Sequence, residues 1–120
     1  VIRCCIESLA LKYRQVLGNL EELVGHRLNT VRIVGGGCKN RMLCAFTADA
    51  CNRPVAAGPV EATALGSVLV QAMARGELQS LAEGRLAVAA SVSLERFEPR
   101  NSAAWDDAYA RFSSLHDHAA

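Results

Sequence analysis

The chain has 120 residues, which is enough for one small domain and too short for two. Hydrophobic residues make up 51% of it, a composition that supports a packed core and argues against disorder. Its 13 basic and 12 acidic side chains leave a net charge of +1, without the basic excess typical of nucleic-acid-binding domains. No run of about 18 apolar residues is present, so neither a membrane nor a nucleic acid is expected as a partner.

The first predicted element is a long amphipathic helix over residues 2–24. Apolar side chains recur at three- and four-residue steps, while most charged side chains occupy the other face. Gly25 predicts the end of the helix, because glycine readily takes the left-handed conformation that terminates helices. The apolar positions are Ile2, Ile6, Leu9, Tyr13, Val16, Leu17, Leu20, Leu23 and Val24.

A short strand and a second helix follow, with three glycines between them. Residues 28–34 are rich in β-branched side chains and predict a buried strand. This strand runs directly into the glycines at positions 35–37. The apolar side of the second helix carries Met42, Leu43, Phe46 and Ala50.

The middle of the chain predicts a second strand and a third helix. Residues 53–57 form the strand, with Pro54 at its start because proline lacks the N–H that an interior position needs. A helix over residues 60–75 follows the break at Gly58 and Pro59. Gly66 inside this helix costs about 1 kcal/mol relative to alanine, which favours a close packing contact at that position.

Two more helices are predicted towards the end of the chain. Ser80 and Glu83 have the spacing of a capping box, which marks a helix start. Residues 92–99 are predicted to be irregular or extended, and Asn101 is one of two candidate caps for the last helix. Residues 116–120 are predicted to be a frayed tail.

This order of elements predicts a helix-rich α/β fold with two short strands, in a single partial domain over residues 1–120. Two strands do not make an independent sheet, so we expect them to complete a larger sheet whose other strands lie upstream. The chain also begins at Val1 rather than at a methionine. Both observations favour a piece of a longer protein.

Five cysteines occur, at positions 4, 5, 38, 44 and 51. Their odd number and irregular spacing argue against a disulfide framework, and the absence of a CxxC pair argues against a structural zinc site. We interpret them as reduced and mostly buried side chains of a cytoplasmic protein. No metal-binding residue is predicted.

The glycine triplet is the most informative candidate site. Gly35, Gly36 and Gly37 lie between a predicted strand and a helix, where the missing Cβ atoms let the main chain approach a ligand closely. The following helix offers unpaired N–H groups at its start. The sequence matches neither GxxxxGK[ST] nor GxGxxG, so a tight structural turn is an equally good interpretation.

Other polar residues near the triplet have structural interpretations beside functional ones. Asn40 can cap the second helix or contact a base, and Lys39 can neutralise a phosphate or lie in solvent. Asp49 on the helix is interpreted as structural. Glu61 suits the start of the third helix, where its charge complements the helix dipole. The three histidines do not cluster, and no nucleophile with a partnering base is apparent.

Taken together, these motifs resemble the C-terminal domain of the FGGY carbohydrate kinases. The resemblance covers nearly the whole chain and is far more specific than the triplet alone. The AGPVEATALG segment is similar to the rhamnulokinase branch of that family. The matching segments are residues 6–14, 32–40, 47–50, 57–66, 97–99 and 105–112.

The resemblance implies a partial actin-like, ribonuclease-H-like ATPase domain, the C-terminal half of the second of two domains that enclose ATP and sugar. The implied reaction transfers the γ-phosphoryl of ATP to a ketose, L-rhamnulose, giving L-rhamnulose 1-phosphate, with Mg²⁺ bridging the phosphates. The family's glycine-rich turn contacts adenosine, which assigns Gly35, Gly36 and Gly37 to the nucleotide, with Gly36 the first choice. Asn40 matches a position on the adenine side.

The resemblance also indicates what this chain lacks. The family's catalytic base, phosphate-binding turn and sugar-binding residues have no matching positions here, so no catalytic residue is predicted. The chain alone is expected to bind nucleotide weakly at best and not to phosphorylate sugar. Two alternatives stay open: a non-catalytic nucleotide-binding module derived from a sugar kinase, and a structural domain whose glycine turn is only a turn. No oligomeric state is predicted.

Overall fold

The computed structural model describes residues 1–119, with side chains described through residue 115. The predicted frayed tail, residues 116–120, falls outside the part with described side chains. The described elements are α1 (Ile2–Val24), β1 (Val31–Ile33), a 3₁₀ turn (Gly35–Lys39), α2 (Arg41–Cys51), β2 (Val55–Ala57), α3 (Ala62–Ala74), α4 (Leu81–Ser91), β3 (Glu95–Phe97) and α5 (Ser102–Ala119). None of these helices is long and apolar enough to cross a lipid bilayer.

The described strands form one small sheet in the order β1-β2-β3. Strand β1 pairs in parallel with β2, placing Val31 opposite Val55, and the connection between them passes through the 3₁₀ turn and α2. Both strands are shorter than predicted. The expectation that β1 is buried is wrong: Val31 and Ile33 are half-buried and Arg32 is exposed. Its position at the sheet edge explains this, because only one side of β1 is paired.

A third strand was not predicted. Residues 95–97 pair antiparallel with β2, so that Phe97 lies opposite Val55. The sequence predicts only an irregular or extended stretch here, because Glu95 and Arg96 are both charged and are exposed in the structure. The strand depends on the free edge of β2 rather than on its own residue pattern.

Helix α2 lies at the centre of the molecule and is buried on two sides. Towards the sheet, Cys44 and Ala48 pack with Val55 and are fully buried. On the other side, Ala50 packs with residues of α1 and α5, including Trp105. The two sides share the limited space around one helix, which is why small side chains fill most of these positions.

Helix α1 has the predicted bounds, and Gly25 ends it in the left-handed conformation with a φ of 77°. The face of α1 that packs on the core is not the one that its apolar periodicity predicts. Ala10 and Leu11 are the buried residues, and they pack in the cluster with α2 and α5. Most of the predicted apolar stripe is exposed, with Leu20 at 45% and Leu23 at 83%.

Helices α3 and α4 contact each other beside this core. The predicted close contact at Gly66 is absent, since a Cβ there would meet no atom within 4 Å. Gly84 on α4 faces α3 instead, and a Cβ there would lie 3.4 Å from a Leu69 methyl, an ordinary contact distance. Helix α4 begins as predicted: the Ser80 hydroxyl accepts from the Glu83 N–H, while the Glu83 carboxylate accepts from the Gln79 N–H.

Three of the five cysteines, Cys38, Cys44 and Cys51, are buried, and Cys4 and Cys5 are exposed; all are free thiols. Burial raises the pKa of the Cys51 thiol to about 11, because a thiolate is poorly solvated in the protein interior. Burial likewise raises the pKa of the Cys44 thiol. Both side chains are therefore neutral apolar groups at pH 7 rather than reactive thiolates.

Arg53 ties the loop after α1 to the end of α2. Its Nε donates to the carbonyl oxygen of Leu28 at 3.0 Å, and one Nη donates to the carbonyl oxygens of Cys51 and Asn52. The other Nη lies 3.0 Å from a carboxylate oxygen of Glu21 on α1. The Arg53 side chain is only 14% exposed. This guanidinium therefore holds two helix ends and a loop with one planar set of donors.

We expect Arg53→Met to lower the free energy of unfolding by about 3 kcal/mol, because it leaves a largely buried carboxylate and several carbonyls without a partner. Arg53→Lys should recover only part of this loss, since an ammonium cannot reproduce the planar fork. Urea unfolding at a fixed chain concentration measures both. The exposed pair of Arg75 and Glu77 supplies the control: Arg75→Met should cost less than about 0.5 kcal/mol. Equal losses at the two arginines would contradict this account.

Candidate nucleotide site

Two main-chain hydrogen bonds join the loop after β2 to the glycine turn and to the end of β1 just before it. The Gly35 N–H donates to the carbonyl oxygen of Pro59 at 3.0 Å, and the Gly58 N–H donates to that of Ile33 at 2.8 Å. The end of β1 and the Gly58–Pro59 loop are thus held side by side. The sequence predicts a chain break at this second loop but contains no signal that it supports the turn.

The three glycines have different roles in the turn. Gly35 has a φ of 75°, a left-handed conformation that favours glycine. Gly36 is exposed, and a Cβ there would meet nothing within 4 Å. Gly37 is exposed, and its Cβ would make an ordinary contact, 3.6 Å from an Ile33 methyl. The fold therefore needs a glycine at position 35, whereas at position 36 it leaves open space in front of the main chain.

Asn40 caps helix α2. Its side-chain oxygen accepts a hydrogen bond from the Leu43 N–H at 3.0 Å, and its own N–H donates to the Gly37 carbonyl at 3.2 Å. The structural interpretation of Asn40 is therefore shown. The cap leaves the NH₂ group, which can only donate, and a second lone pair of the oxygen for a contact to a nucleotide base.

A cavity of about 390 Å³ lies beside the turn. Cys38 and Lys39 line it from the 3₁₀ turn, and Gly58 and Pro59 line it from the supporting loop. Lys39 is exposed, and Cys38 is buried in the sheet-side core. Gly35, Gly36, Gly37 and Asn40 are not among the residues that line this cavity, so it lies next to the candidate glycines rather than in front of them.

Asp49 has a structural partner away from the turn. Its Oδ1 accepts from the Arg100 N–H at 2.7 Å and lies 3.4 Å from the Asn101 N–H, just before α5. The carboxylate therefore positions the start of α5. Glu61 occupies the N-cap position of α3 and is exposed, and its carbonyl oxygen accepts from the Leu65 N–H.

Only one of the three histidines, His26, has a described side chain. His26 is exposed, with its Nδ1 3.1 Å from the Arg27 carbonyl oxygen, and the side chains of His116 and His118 lie outside the described part. Among the described residues, no three histidine, cysteine or acidic side chains come together as a metal site.

Residues 1–75 match the C-terminal domain of the FGGY family of carbohydrate kinases. The matched stretch runs from α1 through α3 and includes the glycine turn and Asn40. The chain belongs to this family. The resemblance seen in the FGGY motifs is therefore confirmed.

Curated FGGY relatives match most of the chain. It is 46% identical over 114 residues to a rhamnulokinase of Bacteroides thetaiotaomicron, covering 95% of this chain and 24% of that protein. It is 44% identical over 97 residues to a rhamnulokinase of Klebsiella pneumoniae, covering 81% of this chain and 20% of that protein. The chain thus spans about a quarter or less of the length of these relatives.

A solved structure shows the fold. The FGGY chain superposes on a xylulose kinase from Rhodospirillum rubrum with a TM-score of 0.69, at 24% identity, over 94% of this chain and 23% of that one. The prediction of a partial actin-like α/β domain is confirmed. The site assignment of the three glycines and Asn40 stays a prediction.

The structure distinguishes Gly35, whose conformation favours glycine, from Gly36, which has open space in front of it. Gly35→Ala should lower the free energy of unfolding by about 1–2 kcal/mol, because alanine is strained at a positive φ. Gly36→Ala should change it by less than about 0.5 kcal/mol, because the added methyl enters open space. Chemical unfolding of the two variants in parallel measures the difference. Equal destabilisation would mean that Gly36 is itself required by the fold.

Proposed function

We propose that this chain supplies the adenosine-binding turn of an ATP-dependent sugar kinase. The reaction is transfer of the γ-phosphoryl of ATP to L-rhamnulose, giving L-rhamnulose 1-phosphate. Membership of the FGGY carbohydrate kinases supports the kinase assignment. The 44–46% identity to two rhamnulokinases supports the choice of sugar. The observation that carries the role of the turn is the open space at Gly36.

Adenosine approaches the turn at Gly36 in this proposal. The exposed main chain has no side chain in front of it, so the flat face of the adenine base or the ribose ring can pack directly against the peptide. Gly35 supplies the bend, and its hydrogen bond to Pro59 keeps the turn from moving away from the ligand. In this proposal Asn40 contacts the adenine side of the nucleotide with the part of its amide that the cap does not use.

The phosphoryl transfer itself uses groups outside this chain in the proposed enzyme. When bound together with ATP in the complete enzyme, Mg²⁺ would neutralise the charge of the phosphates. The base that activates the sugar hydroxyl and the residues that hold the sugar have no matching positions here. This chain binds and orients the nucleotide, and the complete enzyme acts in the cytoplasm, where its free thiols stay reduced.

We expect Gly36→Val in the complete kinase to raise the dissociation constant for ATP at least about tenfold, or about 1.4 kcal/mol, because its branched side chain occupies the adenosine position. Isothermal titration calorimetry measures the affinity. Gly18→Val is the matched control, since Gly18 on α1 also has open space around it and lies outside the site.

Three outcomes separate the candidate functions. Weaker ATP binding with unchanged stability supports a nucleotide-binding turn. If that variant binds ATP normally, the turn is structural and the proposed role fails. Weaker binding in a complete protein that shows no sugar phosphorylation favours the alternative, a non-catalytic nucleotide-binding module.

The 120-residue chain alone should show no phosphorylation of L-rhamnulose with Mg²⁺ and ATP, because it contains no match to the family's base. A coupled assay for ADP release, with the complete kinase as positive control, measures this. Sugar-dependent turnover by the purified chain would show that the catalytic residues lie within it.

A further inference from the structure

The pairing of β1 with β2 continues past the last strand residues into the glycine turn. Beyond the pair of Ile33 and Ala57, the Gly58 N–H donates to the Ile33 carbonyl oxygen at 2.8 Å. The next hydrogen bond, from the Gly35 N–H to the Pro59 carbonyl oxygen at 3.0 Å, already lies within the turn. The first residue of the turn is therefore held to the sheet through the loop after β2.

Gly58 has a main-chain conformation that other residues rarely adopt. Its φ is 114°, and the residue is buried. A residue with a Cβ is strained at this φ, so the chain needs a glycine where it leaves β2 and enters Pro59. The position of the Pro59 carbonyl, and with it the hydrogen bond to Gly35, therefore depends on the conformation of Gly58.

The segment before β3 limits the space at Gly58. Strand β3 pairs with β2 so that Glu95 lies opposite Ala57, which brings the preceding residues next to the loop. A Cβ at Gly58 would lie 3.2 Å from a Leu94 methyl and 3.9 Å from the Ser93 carbonyl oxygen. The first distance is tighter than an ordinary van der Waals contact, so an added methyl would displace Leu94 or the loop itself.

We propose that Gly58 is a positioning residue for the nucleotide site. It has no contact with the nucleotide, but it places the Pro59 carbonyl where the Gly35 N–H can donate to it, and so fixes the main chain at Gly36. This role rests on the proposed function, since it requires that adenosine packs at Gly36. The affinity for ATP then depends on a residue outside the glycine turn.

Binding of ATP and of L-rhamnulose to the complete kinase tests this role. Gly58→Ala should raise the dissociation constant for ATP about fivefold or more, because the displaced loop no longer holds the turn. The dissociation constant for L-rhamnulose should change less than about twofold, since the loop positions only the nucleotide turn. Isothermal titration calorimetry with each ligand measures both constants, and a glycine that only stabilises the fold would not affect ATP selectively.

Gly76→Ala is the matched control. Gly76 follows α3 with a φ of 80°, and a Cβ there would meet nothing within 4 Å. This substitution strains a second positive-φ glycine away from the turn and should leave ATP binding unchanged. If Gly58→Ala alone does not fold, adding Leu94→Ala makes room for the new methyl. That double variant should bind ATP more weakly than Leu94→Ala alone, because the strain at position 58 persists.

The outcomes distinguish this role from the proposed function. Normal ATP binding by a folded Gly58→Ala variant, or an equal loss of affinity in Gly76→Ala, overturns the positioning role. An equal loss of affinity for ATP and L-rhamnulose in Gly58→Ala also overturns it. If Gly36→Val weakens ATP binding while Gly58→Ala does not, only the positioning role fails. Normal ATP binding by Gly36→Val contradicts the proposed function itself, and the positioning role fails with it.

Discussion

The packing of helix α2 between the sheet and the α1–α5 pair is the constraint on which the rest of the structure depends. Cys44 and Ala48 are fully buried against the sheet, and Ala50 is 1% exposed on the opposite side. Larger side chains at these positions would force the layers apart, at a typical cost of about 1–3 kcal/mol. Because α2 is held from both sides, its capped N-terminus and the glycine turn before it have a fixed position relative to the sheet.

Local signals in the sequence predict elements whose ends are set locally. The bounds of α1 follow from its periodicity and from Gly25, and the start of α4 follows from Ser80. These local signals do not predict contacts between residues that are distant in the chain. Strand β3 forms only because β2 offers an edge, and the periodicity of α1 reveals an apolar row without showing that α2 packs on another face. Likewise, Gly84 rather than Gly66 meets a neighbouring helix, since that depends on how α3 and α4 cross.

The candidate site likewise has some features that the sequence predicts and others that only the structure shows. Three consecutive glycines between a strand and a helix predict a ligand-accessible turn, and the FGGY family match includes that turn. The sequence does not distinguish the glycine that the backbone requires, Gly35, from the glycine that leaves open space, Gly36. Nor does it show that the oxygen of Asn40 is used in capping α2 or that Pro59 supports the turn. These distinctions come from φ angles and hydrogen bonds between separate segments.

In the proposed enzyme, adenosine packs on the main chain at Gly36. Photoaffinity labelling of the complete kinase with 8-azido-ATP, followed by mass-spectrometric mapping of the modified peptides, tests it most directly. We expect label on the peptide that contains residues 33–41, and loss of that label when excess ATP is present. ATP-protected label found only on peptides that exclude this turn would contradict it.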